Sequence, residues 1–324
     1  MFVVHAGRRR AFATLAAITL ALWYLSAACQ TDGSPPPCQF PTITSFRQLQ
    51  VFFTRCDKNS LVIFDIDDTL TTASDMFSDL RWNSWFEIRA LLNYPKLINA
   101  DRDTNRRLWS LLFRQIPYRV FDPDITRIIQ QLQNQECMVM ALTALNCGTF
   151  GVINSLAEWR ANKLSDLGIH FGSRFDNALF SSLPSRHGTY PCLHRGILLA
   201  NGVAKGAVLG AFLDRYHLQP RRIIFFDDRT REIASVANEC AQRAIPFSGY
   251  RIMGATLVKT VNQLNTGRPI PQIEFLTNYA RWLKDAAIEL FPPSSKPPSP
   301  VALDMANVEG VRSTRPLNGW WWHY

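Results

Sequence analysis

No Cys-x-x-Cys spacing occurs in the chain and no histidine cluster accompanies its cysteines, which argues against a zinc site. No block of like charges is present either. The basic residues are scattered, so the charge gives no argument for nucleic acid as a partner. Charged residues make up only 19% of the chain, against 47% hydrophobic and 12% aromatic. That balance excludes wholesale disorder, collagen-like repeats and coiled coil. The apolar stretch from Ala11 to Leu25 falls short of the roughly 20 residues that a helix needs to cross a bilayer core, which argues against a permanent anchor.

What is present is a chain of 324 residues, long enough for a sizeable core in one large domain or two modest ones. Its 35 Lys and Arg against 26 Asp and Glu give a net charge of +9. Arg8-Arg9-Arg10 precede the apolar stretch, and the small residues Ser26-Ala27-Ala28 follow it, ahead of Cys29. This order is that of an export signal, so residues 1–28 are expected to be removed. The mature protein then leaves the cytosol for the periplasm, the cell envelope or the medium. Without the three arginines 32 basic residues face 26 acidic ones, or +6, a balance suited to an anionic ligand or an anionic membrane surface. Cys29 directly after the cut resembles the acylated cysteine of bacterial lipoproteins. Those signals usually carry Leu three places earlier, where this chain has Ser26. Plain secretion is therefore preferred, with attachment through a Cys29 lipid as the alternative.

Export changes how the remaining cysteines read. Cys38, Cys56, Cys137, Cys147, Cys192 and Cys240 form an even set in a compartment that permits disulfides. Cys38 with Cys56 is one candidate for a local bridge, and several of the others are expected as small buried hydrophobes. The proline-rich stretch Asp32 to Pro37 cannot hold a regular element and is a tether, so residues 29–58 are read as tether and first helix. A second such stretch, Pro292 to Pro300, separates the body, residues 59–291, from a tail, 292–324, that ends Trp320-Trp321-Trp322-His323-Tyr324. That aromatic end suits a half-wet surface such as a membrane interface, although a disordered tail is the preferred reading.

Within the body three apolar runs stand out: Leu61-Val62-Ile63-Phe64, Cys137 to Leu142, and Arg222-Ile223-Ile224-Phe225-Phe226. Each reads as a strand buried on both faces. Helical patterns from Pro123 to Gln135 and from Lys205 to Tyr216 separate them, and strands alternating with helices mean a parallel α/β sheet. The segment between the first two runs is too long for one crossover. It carries Trp82, Trp85, Phe86, Leu91, Leu92, Leu108, Trp109, Leu111 and Leu112 at mostly helical spacing, and residues 71–122 are expected to form an inserted helical cap. A last amphipathic pattern from Ile273 to Leu290 predicts a helix packed on the sheet.

Two of the apolar runs end in acids: Asp65-Ile66-Asp67-Asp68-Thr69 after the first and Asp227-Asp228 after the last. Ligands of open α/β sheets bind beyond the carboxyl ends of the strands. Carboxylates gathered there repel one another and need a cation or an independent exit to water, and a hard divalent ion such as Mg²⁺ meets that need with oxygen ligands. The alternating spacing of Asp65 and Asp67 aims two carboxylates around one reacting atom, one to attack and one to move a proton.

These residues resemble the haloacid dehalogenase-like (HAD) superfamily of phosphohydrolases, whose four dispersed signatures all have candidates here in order. D-x-D-x-T after a strand matches Asp65 to Thr69, a strand-end Thr matches Thr143, a Lys opening a helix matches Lys205, and paired acids after a strand match Asp227-Asp228. The export signal, the long segment from Asn146 to Gly202 and the closing helix also look like an often secreted branch of that superfamily. The resemblance implies a Rossmann-like parallel sheet with an inserted helical cap. It implies Asp65 as the nucleophile that forms an aspartyl-phosphate, and Asp67 as the acid and base. Thr143 and Lys205 would bind phosphate. Mg²⁺ would be held by Asp65, the Asp67 carbonyl, Asp227 and Asp228. The expected function is an exported Mg²⁺-dependent phosphatase acting on a small phosphate monoester. The alternatives are a phosphotransferase and a binding or adhesion protein of the envelope that keeps the fold without turnover.

Each residue also has a plainer role. Asp68 is expected to cap its own turn and Thr69 to do backbone work, while Asp228 could instead be the N-cap of a helix from Thr230 to Arg243. Thr143 could be a strand-end hydroxyl and Lys205 a surface lysine. His187 and His194 read as loop residues, and Trp82 and Trp85 as cap core. Arg81, Arg102, Arg106 and Arg107 are candidates to meet an anionic substrate.

Overall fold

The three apolar runs become the centre of one sheet in the computed structural model, which describes residues 39–73, 102–172, 174–186, 188–253 and Arg281. Contacts divide the chain into a unit of Met1–Gln39 and a unit of Phe40–Tyr324, and every element below belongs to the second. The signal segment, Cys29, Cys38, the core of the expected cap at 74–101, His187, the closing helix and the aromatic tail lie outside the described residues.

In chain order the elements are β1 (Thr42–Ile43), a 3₁₀ turn (Phe46–Leu49) running into α1 (Gln50–Phe53), β2 (Ser60–Phe64), β3 (Thr71–Ala73) and α2 (Arg102–Gln115). They continue with β4 (Tyr118–Val120), α3 (Ile125–Asn134), β5 (Met138–Thr143), α4 (Leu156–Asp166), β6 (Ala178–Leu179), β7 (Cys192–His194) and β8 (Ile197–Leu199). Last come α5 (Lys205–Arg215), β9 (Arg222–Asp227), α6 (Thr230–Gln242) and β10 (Phe247–Ile252). The main sheet has the order β1-β10-β9-β2-β5-β8-β7-β6. All neighbours from β1 to β8 pair in parallel, and β7 and β6 close one edge antiparallel. This is the mixed α/β fold with a mostly parallel Rossmann-like sheet that the run pattern predicts.

Leu61 lies opposite both Met138 and Ile223, which fixes the register of the three central strands. Alternation along them then splits the core in two. Val62, Phe64, Val139, Ala141, Ile224 and Phe226 face one cluster, joined by Ile125, Ile128, Ile129 and Leu132 of α3 and by Ala157, Ala161 and Leu164 of α4. Leu61, Ile63, Met138, Met140, Ile223 and Phe225 face the other, filled by Val208, Leu209, Phe212 and Leu213 of α5 and by Ile233, Val236 and Cys240 of α6. Helices therefore cover both faces, as a sheet apolar on both sides requires.

β3 and β4 form a separate two-stranded antiparallel sheet, Thr71 opposite Val120, so the chain departs and returns at one place. Between them, α2 meets the loop after β5. The Ser110 Oγ accepts from Val152 N at 2.8 Å, the Arg106 guanidinium donates to the Thr149 carbonyl at 3.1 Å, and Phe113 stacks on Phe150 and on Trp159 of α4. Among the described residues no helix is long and apolar enough to cross a membrane.

The cysteines settle differently from the expected local bridge. Cys147 and Cys192 form a disulfide between the loop after β5 and β7, while Cys56, Cys137 and Cys240 are buried free thiols. Cys56 is turned inward beside Cys137 and contacts the Phe52 carbonyl, so it is not bridged to Cys38. His194 is also not a loop residue: it ends β7, and its Nε2 lies 2.6 Å from Glu158 Oε2.

Candidate functional site

β2 and β9 are neighbours, so the acids that follow them meet beyond the carboxyl edge of the sheet. The Asp65 N–H donates to the Phe226 carbonyl at 2.8 Å, extending the ladder by one residue and fixing where its side chain starts. The turn after it closes on the Ile66 carbonyl, which accepts from the N–H groups of Leu70 and Thr71 at 2.9 Å each, with Ile66 and Leu70 fully buried. Asp68 takes the left-handed φ of 60° that the turn needs. Its N–H donates to the Thr71 carbonyl and its carboxylate accepts from the Thr72 hydroxyl.

Lys205 arrives from the opposite side. Gly202 at φ 70° turns the chain after β8, and α5 begins at Lys205. Gly206 lets α5 press against α6, since a Cβ there would sit 2.2 Å from the Ser235 carbonyl oxygen. Held in this way, the Lys205 ammonium lies 2.5 Å from Asp65 Oδ1 and 2.6 Å from Asp227 Oδ2. Asp65, Asp227 and Lys205 are 5%, 0% and 2% exposed, so the lysine is no surface residue. The second Asp227 oxygen accepts from the Arg229 N–H at 2.8 Å.

Asp228 joins this group. The carboxylates of Asp65, Asp227 and Asp228 offer ligand oxygens within 4.8 Å of one another, the one such group of acids among the described residues. Asp228 is not a helix cap, because Arg229 occupies the N-cap position of α6 and no side chain caps it. Burial, with the neighbouring charges of Asp227 and Asp67, pushes Asp65 up to about 7 against the pull of Lys205. Burial and the charges of Asp65 and Asp227 push Asp228 up to about 8. Burial alone would lower the Lys205 pKa, but Asp227 and Asp65 outweigh it and raise it, so the ammonium stays charged. Lys205 serves Asp65 and Asp227, and the Arg229 guanidinium lies 3.8 Å from Asp228, so three carboxylates share two cations; their oxygen-only donor set is the kind that fits a hard divalent cation.

Asp67 stands apart. Its side chain is about half exposed, at 49%, and points to the guanidinium of Arg160 on α4 rather than to the other acids. Thr143 is buried at the end of β5, next to β2, and its hydroxyl accepts from the Leu145 N–H at 3.3 Å. Of the expected site residues, Asp65, Asp227, Asp228 and Lys205 are therefore brought into contact. Asp67 is held on a separate partner, and Thr143 accepts from its own loop. Arg106 is engaged with Thr149, and Arg81 and the side chain of Arg102 lie outside the described residues.

Arg160 is the residue that the motif reading misses. A signal for it exists in the pattern nonetheless: Leu156, Arg160 and Leu164 recur every four residues, so the arginine occupies the apolar stripe of its helix.

The family described as "Protein of unknown function (DUF2608)" matches residues 42–285, a span that contains every residue of this site. A protein of Chlamydia trachomatis serovar D named "Putative outer membrane protein" is 27% identical over 197 residues, 60% of this chain and 69% of its own length. A protein of the same name from Chlamydia muridarum is 25% identical over 59% of this chain and 68% of its own. An uncharacterised protein of Rickettsia prowazekii is 22% identical over 73% of this chain and 84% of its own. No solved structure matches the chain.

Proposed function

The chain belongs to the DUF2608 family, and we propose that it is an exported, Mg²⁺-dependent phosphatase that hydrolyses a small phosphate monoester through an aspartyl-phosphate on Asp65. The observation that carries this reading is the Lys205 ammonium, held between Asp65 and Asp227 at the carboxyl edge of the parallel sheet. Three distant segments supply these groups, and a purely structural ion pair needs no third carboxylate beside it.

Phosphoryl transfer gathers charge on the equatorial oxygens and is accelerated chiefly by positioning and cationic stabilisation. The Asp65 carboxylate attacks phosphorus and the bond to the leaving oxygen breaks. Asp67 gives that oxygen a proton and then takes one from the water that attacks the aspartyl-phosphate, releasing inorganic phosphate and restoring Asp65. Lys205 neutralises charge on the transferred group, and Thr143, whose oxygen accepts from Leu145 N–H, donates its O–H to one of the phosphoryl oxygens. The carboxylates of Asp65, Asp227 and Asp228 with the Asp67 carbonyl would hold Mg²⁺, which supplies charge shielding for the phosphoryl group. A cation there also keeps ionised two acids that burial pushes up to about 7 and about 8.

The outer-membrane names of the two chlamydial relatives support placing this chain at the cell envelope, in keeping with its signal-like N-terminus. They also support a second reading, a non-catalytic binding or adhesion protein of the envelope. One assay separates the two: hydrolysis of an aryl phosphate by the chain from Gln30 onward, with Mg²⁺ and with chelator, beside Asp65→Asn. Metal-dependent turnover that the variant loses supports the phosphatase. A protein that binds Mg²⁺ yet turns over neither aryl nor alkyl phosphates supports the binding protein.

A further inference from the structure

Arg160 stands on the buried stripe of α4 with Leu156, Ala157, Ala161 and Leu164, and is 4% exposed. A guanidinium there is desolvated, and an aliphatic side chain would suit the helix face better. Two aromatic rings hold it in place: its central carbon lies 4.8 Å from the Trp159 ring centroid and 5.8 Å from that of Tyr118. Its Nε is buried with no hydrogen-bond partner. Its Nη2 lies 2.9 Å from each carboxylate oxygen of Asp67.

The two partners are unequal. Asp67 is half exposed on a turn and has water available to it, whereas the arginine is buried and its Nε goes without any partner. A cation kept in so dry a place for one half-exposed carboxylate is fixed in order to aim that carboxylate.

We infer that Arg160 is a positioning residue that holds the Asp67 carboxylate toward the leaving-group oxygen, an inference that rests on the phosphatase reading of the same site. General-acid catalysis needs its donor within hydrogen-bond reach of one particular oxygen. A side chain on an open turn does not hold that geometry unaided. Through Asp67, Arg160 acts on the protonation of the leaving group and on the later deprotonation of water, and on nothing that binds the phosphoryl group itself.

This separates Arg160 from a residue that merely supports the fold, because leaving groups differ in their need for a proton. A nitrophenolate departs as a stable anion, whereas an alkoxide must be protonated as it leaves. The test compares kcat/KM for the full exported chain on a nitrophenyl phosphate and on an alkyl phosphate, with the wild type, R160M, D67N and the double variant. That constant reports the steps through departure of the leaving group and not the later hydrolysis of the aspartyl-phosphate. R160M is expected to lower kcat/KM on the alkyl ester by on the order of 100-fold and on the aryl ester by less than about tenfold. In the D67N background R160M should add no further loss on the alkyl ester, since it acts only through Asp67. R160K, which keeps the charge without the planar fork, reads the same ratio should R160M fold poorly. Equal losses on both esters, or losses that add in the double variant, overturn the inference and leave the phosphatase reading standing. A wild type with no turnover and no Mg²⁺-dependent thermal shift by beryllium trifluoride, a mimic of the aspartyl-phosphate, overturns both.

Discussion

Asp65 and Asp67 stand two residues apart and live in different surroundings. Asp65 extends a central strand, is almost fully buried and shares an ammonium with Asp227. Asp67 sits on the turn, half exposed, and meets a guanidinium brought by a helix that covers one face of the sheet. In the proposed mechanism the nucleophile must keep one position against phosphorus, which a strand ladder would give it. The proton carrier would have to serve two partners in turn, which suits a half-exposed side chain on an anchored turn. The difference teaches that one short motif is built from two separate supports, one rigid and one adjustable.

The comparison breaks most completely at the buried end. Asp65→Asn is expected to lower kcat by on the order of 10³-fold or more while leaving the fold intact, as measured by aryl phosphate hydrolysis beside thermal unfolding. Lys205→Met removes the shared cation and leaves Asp65 and Asp227 as uncompensated buried charges. About 3–5 kcal/mol of stability should be lost in denaturant titrations at neutral pH.

The acids themselves set a pH dependence. Asp65 and Asp228 hold their protons more tightly in the folded chain, at about 7 and about 8 against an ordinary value of 3.8. The folded state therefore binds more protons than the unfolded one through that window, and stability falls as pH rises across it. Below about pH 4 both states are protonated and the loss is absent. In chelator the melting temperature should drop between about pH 5 and 8, and Mg²⁺ should reverse most of that drop, by more at about pH 8 than at about pH 5. A melting temperature that rises across the window in chelator would contradict this arrangement of charges.

Gly206→Ala tests the placement of Lys205 more gently. The added methyl group meets the Ser235 carbonyl at 2.2 Å, so α5 must move away from α6. A destabilisation of about 1–3 kcal/mol is expected from the overpacking, with a fall in kcat larger than any change in KM. At the Asp67 end, Asp67→Asn keeps an oxygen that accepts from Arg160. Its effect on stability should be the smallest, about 1 kcal/mol, while alkyl phosphate turnover falls steeply.

Much of the fold is legible in the amino-acid sequence. β2, β5 and β9 announce themselves because strands buried on both faces need unbroken apolar runs, and their order with the helices fixes a parallel sheet. β10 escapes notice because Phe247 to Ile252 mixes Ser248, Gly249 and Arg251 into the strand, as suits a position next to the two-residue edge strand β1. The hairpin of β7 and β8 hides in a segment broken by Gly196, where φ is 76°. Lys205 can be placed from motif order alone, but its bond to Asp227 as well as Asp65 depends on α5 and α6 packing at Gly206. Arg160 lies far from every motif in sequence and reaches Asp67 only because α4 covers the same face as α3. Cys147 and Cys192 pair across 45 residues, a connection that no local spacing indicates.

Asp65 is proposed to carry the phosphoryl group during turnover. Acid quenching of the protein during steady hydrolysis of an aryl phosphate with Mg²⁺, followed by peptide mass spectrometry, tests it most directly. The account predicts one phosphoryl group on the peptide containing Asp65, absent in chelator and in Asp65→Asn. Sustained Mg²⁺-dependent turnover with that peptide unmodified, or with the phosphoryl group on another residue, would contradict it.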